Sequence, residues 1–173
     1  MSYAVYCLAK TDAQAIRIAN RLRAAGFSES EISILAPDRG PLRDASHENS
    51  TKAPEGAVTG AGTGALLGGA LGWLVGVGAL AIPGVGPLIA AGPILAALSG
   101  AALGGAAGGL TGALVGLGIP EYEAQAYEGK LREGNILIAT HVENSEEAGS
   151  VRTIYNEEKA ESISTGSEAS VPS

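Results

Sequence analysis

Apolar residues occur along this chain in two kinds of run. The first kind is short. Residues 4–9 (AVYCLA), 32–36 (ISILA) and 135–142 (NILIATHV) are rich in β-formers and long enough for single buried strands. Between the first two, Thr11 predicts a helix start, with Gln14 three residues on completing a capping box and Asp12 at the positive end of the dipole. Ala15, Ile18, Ala19 and Leu22 share one face of that helix, and Gly26, followed by apolar Phe27, suits its left-handed C-cap. Residues 121–133 predict another helix, with Glu121 and Glu123 in the first turn, Lys130 and Arg132 in the last, and Gly134 as the stop. Asn144 or Ser145 caps a further helix with Val151, Ile154 and Tyr155 as apolar positions. Residues 160–164 suit a short fourth strand, and the Ser/Glu-rich residues 165–173 are expected to be a disordered tail.

The second kind of run is long. No charged residue stands between Glu55 and Glu121. Within this stretch Gly60, Gly64, Gly68, Gly72 and Gly76 recur every fourth residue, and Gly100, Gly104, Gly108, Gly112 and Gly116 repeat the pattern. On a helix this spacing makes a groove without side chains, along which a second helix can approach to backbone contact. Residues 57–81 and 94–118 are therefore expected to form two helices of roughly 37 Å each, enough to cross a hydrocarbon layer of about 30 Å. Pro83, Pro87 and Pro93 break the chain between them. The expectation is an uncharged helical hairpin over 56–119, inserted into a lipid bilayer and pairing between its arms or between copies in a homo-oligomer; the alternative is a soluble assembly in which several copies bury their hairpins together. Trp73 either anchors at the far interface or fills space against a glycine; Tyr122 and Tyr127 either form an aromatic belt or belong to a small-domain core.

Together these readings predict an α+β protein. A ferredoxin-like βαββαβ domain, in two halves at 1–37 and 120–164, is interrupted by a polar loop at 38–55 and by the Gly/Ala-rich helical hairpin.

Composition sharpens this picture chiefly by exclusion. The net charge of −7 comes from Glu121 onward, because the first 55 residues hold seven basic and seven acidic side chains. No basic strip with interleaved aromatics suggests a nucleic-acid partner. Cys7 is the single cysteine, which rules out an intrachain disulfide or a cysteine metal cluster and suits a small buried hydrophobe. The N-terminus does not read as a signal peptide, so insertion is expected to be directed by the central stretch, with both termini cytoplasmic. Residues 60–69 (GAGTGALLGG) follow no strand and have no accompanying lysine, so no nucleotide or other cofactor is expected. His47 and His141 have no second ligand at useful spacing, which leaves no metal site. Glu121, Glu123, Glu128 and Glu133 read as a solvated helix face, and no catalytic constellation stands out.

Three blocks resemble the YflT-like general stress proteins and the related bacterial low-temperature-induced proteins. They are residues 24–35 (AAGFSESEISIL), the Gly/Ala-rich double stretch, and residues 118–142 (GIPEYEAQAYEGKLREGNILIATHV). The resemblance implies a stress-induced protein in which a glycine-zipper segment interrupts a ferredoxin-like domain, and it carries over no catalytic residues. The expected function is that of a non-enzymatic, membrane-associated stress-response protein that self-associates through its zipper helices. A pore or transport component, or a regulatory ligand-binding module with a membrane anchor, are the alternatives.

Overall fold

The computed structural model describes residues 3–37, 78–82, 86–94 and 109–167. In chain order these form β1 (Tyr3–Ala9), α1 (Asp12–Ala24), β2 (Ile32–Pro37), β3 (Gly78–Ile82), β4 (Gly86–Ala91), α2 (Gly109–Gly116), α3 (Glu121–Arg132), β5 (Ile136–Val142), α4 (Ser145–Glu157) and β6 (Glu161–Ser167). The protein is α+β. One six-stranded sheet has the order β3-β4-β2-β5-β1-β6, and every adjacent pair is antiparallel.

Both faces of the sheet are covered, which is why its inner strands read as continuous apolar runs rather than alternating ones. Val5, Cys7 and Ala9 of β1, Ile34 of β2 and Ile138 of β5 pack against Ile18 and Leu22 of α1 and Val151 and Tyr155 of α4. Tyr6, Leu8, Leu35 and Leu137 face the other way, onto Leu110 and Leu114 of α2 and Tyr127 and Leu131 of α3. The two-residue period of the strands thus feeds two separate cores.

The predicted caps form. Thr11 Oγ1 accepts the Gln14 N–H at 3.2 Å, and Asn144 Oδ1 accepts the Glu147 N–H at 2.8 Å. Gln14 does more than cap. Its Oε1 accepts the Lys10 N–H at 2.8 Å, and its Nε2 donates to the carbonyls of Glu158 and Lys159 at 2.8 and 3.0 Å, fastening α1 to the end of α4.

The middle of the uncharged stretch departs from expectation. Residues 78–81, expected at the end of a helix, lie in β3, and the expected hairpin tip lies largely in β4. Strand β4 pairs with β2, placing Leu35 opposite Ala90 and Pro37 opposite Leu88. Leu88 and Ala90 are fully buried. Proline and glycine at 83–87 disfavour a helix there, and a short apolar run such as LIAA cannot be assigned by periodicity alone. Strand β2 offers an edge whose backbone groups need partners, and that decides the outcome. Of the second expected helix, residues 109–116 are helical; 57–77 and 95–108 lie outside the described residues, as does the loop at 38–55. Strand β6 also runs on to Ser167, into what the composition predicts as a disordered tail.

Gly92 locks this arrangement. Its φ is +81°, and a Cβ there would stand 2.1 Å from the Ile32 carbonyl oxygen. Only glycine allows the chain to turn so close over β2. The Ile94 N–H then donates to Ser33 Oγ at 3.1 Å.

Candidate functional site

Helix α2 is apolar on one side and bare on the other. Leu110 and Leu114, four residues apart, are fully buried against the sheet, and Ala113 and Leu117 pack partly beneath the helix. Gly112 and Gly116, also four apart, are exposed, and a Cβ at either would meet nothing within 4 Å. Val115 between them is 42% exposed. The outer face of α2 therefore presents backbone and one β-branched side chain, with no charge.

Both ends of this helix are fixed. Glu128 of α3 accepts from the Thr111 N–H at 3.0 Å and from the Thr111 hydroxyl, and Arg132 donates to the same carboxylate at 2.6 Å. A carboxylate at the first turn of a helix satisfies free N–H groups and complements the dipole. At the other end Gly118, with φ +87°, closes a Schellman turn. Its N–H donates to the Val115 carbonyl at 2.9 Å, and the Ile119 N–H reaches the Leu114 carbonyl at 3.2 Å. The bare face is thus held on a rigid element.

Of the ten glycines expected to pack helices, Gly112 and Gly116 fall among the described residues, where a Cβ at either would meet nothing within 4 Å. Gly60, Gly64, Gly68, Gly72, Gly76, Gly100, Gly104 and Gly108 lie outside those residues, with Trp73. The two tyrosines separate. Tyr122 is 72% exposed, whereas Tyr127 is buried at 1%. The Tyr127 hydroxyl donates to the Ser162 carbonyl at 2.7 Å and lies 2.5 Å from Ser164 Oγ, so this tyrosine is a core residue. Burial pushes its phenol up to about 12, with the Ser164 hydrogen bond acting in the opposite direction.

Other polar groups are internal. Ser33 Oγ lies 3.2 Å from His141 Nε2, a pair 108 residues apart that no local pattern signals. The Tyr155 hydroxyl lies 2.7 Å from Thr140 Oγ1 and donates to the Val5 carbonyl at 3.2 Å. Burial pushes the Cys7 thiol and the Tyr155 phenol well up, so both stay neutral and Cys7 offers no thiolate. The acids of α3 are not the uniformly solvated face expected from their spacing. Glu128 is engaged as described, and Glu123 Oε2 is shielded from water with no hydrogen-bond partner among the described residues. Neither role has a signature in the sequence, since both depend on elements distant along the chain. Among the described residues no helix is long and apolar enough to cross a membrane.

Comparison with protein-family models, curated proteins and solved structures found no match.

Proposed function

We propose that this chain is a non-enzymatic, membrane-associated protein that self-associates through small-residue helix faces, with a ferredoxin-like unit as its folded body. The stress-response setting is what the sequence resemblance implies. The observation that carries self-association is the outer face of α2, where Gly112 and Gly116 are exposed while Leu110 and Leu114 make the helix's own core contact. Glycine at an exposed helix position costs about 1 kcal/mol relative to alanine, and close approach of another backbone offsets such a cost. For the body, the order β2-β5-β1-β6 with α1 and α4 on one face supports a split βαββαβ unit, to which β3 and β4 add at one edge.

Membrane association rests on the absence of charge between Glu55 and Glu121 and on the length of that stretch.

The test is the double variant Gly112→Leu, Gly116→Leu. Among the described residues nothing stands within 4 Å of a Cβ at either position, so the fold should persist and the helix should gain propensity. Native mass measured in mild detergent should fall from an oligomer to a monomer. An unchanged oligomeric mass in a folded double variant would refute the glycine-face contact.

A further inference from the structure

Beyond self-association, the opposite end of α3 carries a cleft of about 170 Å³ between that helix and β6. It is lined by Tyr122, Glu123, Ala126 and Tyr127 from the helix and by Ser162, Ile163 and Ser164 from the strand. The strand is irregular here. Tyr6 pairs with Ser164 but Leu8 with Glu161, so Ser162 and Ile163 together oppose Cys7 in a bulge. Ser162 has φ +52°, a conformation unfavourable for a residue with a side chain. The bulge directs the Ser162 carbonyl to the Tyr127 hydroxyl and leaves the cleft open beside it.

One of the lining residues has an unsatisfied oxygen. Tyr122 donates to Glu123 Oε1 at 3.0 Å, while Oε2 is shielded and lacks a donor among the described residues. A buried carboxylate oxygen without a hydrogen bond is costly, and the polar hydroxyls nearby are already engaged with one another. A ligand that brings an N–H and a positive charge would satisfy Oε2, and the two tyrosines lining the cleft suit a cation.

We propose that this cleft binds a small primary ammonium group, with Glu123 Oε2 as its acceptor and Tyr122 and Tyr127 as aromatic walls. Oε2 is shielded in this conformation, so binding requires a side-chain movement that uncovers it, and the exposed Tyr122 is the lining residue with room to move. A divalent metal is a poorer fit, because Glu123 is the only carboxylate among the described lining residues and hard cations take six or more oxygen ligands.

The experiment is an amide chemical-shift titration of the full-length chain with methylammonium, and in parallel with tetramethylammonium and with magnesium. Saturable shifts at Tyr122, Glu123, Ala126 and residues 162–164 are expected with methylammonium only. Glu123→Gln, which keeps the shape, should abolish saturation, as should Ala126→Leu, which fills the cleft. Glu121→Gln should leave it unchanged. Absence of saturable shifts in the unmodified protein would overturn the proposal. So would retention in Glu123→Gln, or equal binding of tetramethylammonium, which has no N–H to donate, or of magnesium.

Discussion

The two faces of the sheet are covered by helix pairs of different kinds. On one face α1 and α4 are ordinary amphipathic helices, each with a buried apolar stripe and a charged outer surface. They are tied at their ends by Gln14 and by Arg17 and Arg21, which pair with Glu157 and Glu158. On the other face α3 is similar, but α2 has an uncharged outer surface of glycine backbone and the single side chain of Val115. A helix meant only for water would carry polar side chains there. Both faces close the domain, and on the second the exposed glycines of α2 are the surface to which the proposed self-association is assigned.

Breaking the sheet edge that supports the second face should have the largest effect. Gly92→Ala forces a side chain into positive φ and against the Ile32 carbonyl, and should destabilise by about 3 kcal/mol in urea unfolding. A change near zero would mean that β4 does not lie on β2. Next comes the buried polar pairing of the first face. Tyr155→Phe removes the hydroxyl that donates to the Val5 carbonyl and pairs with Thr140, and should cost about 1–3 kcal/mol by the same measurement.

The second face has its own signature in alkali. Tyr127 ionises at about 12 when folded, raised mainly by burial, against an ordinary value of 10.0. Its contribution is therefore complete below pH 10 and is lost as pH rises through about 12. Tyr127→Phe should flatten the fall in stability over that window, and an unaltered slope would remove Tyr127 as its source. The smallest effect belongs to the ion pairs of the first face. Arg17→Ala or Arg21→Ala should lower stability slightly at low salt and not at high salt, because the arginine side of each pair is exposed. Equal losses at both salt concentrations would point to packing instead.

How far the sequence carries this comparison depends on the distance over which each feature is encoded. Thr11, Asn144, Gly26 and Gly134 act within a few residues of themselves, and the strands β1, β2 and β5 announce themselves through continuous apolar runs, so these were legible. The β3–β4 pair was not. Its runs are short, uncharged and broken by proline, and their conformation is set by the open edge of β2 rather than by their own period. The contacts that hold the second face are equally remote. Ser33 meets Ile94 across 61 positions and Glu128 meets Thr111 across 17, with no local motif in either case. The glycine period did point to α2, and the structure assigns its direction: the glycines look outward while the leucines look in.

The central claim is that the middle of the uncharged stretch is part of the sheet. It can be tested with one engineered disulfide, Leu35→Cys with Ala90→Cys, in a Cys7→Ala background. These positions are directly paired across β2 and β4, and both face the same core. Paired antiparallel residues lie about 4.5–5.5 Å apart at Cα, within the range a disulfide spans. Mild oxidation of the full-length protein should give an intramolecular link detectable by mass after proteolysis. Failure of that link to form in folded protein, with both thiols still free, would place residue 90 away from β2 and contradict the account.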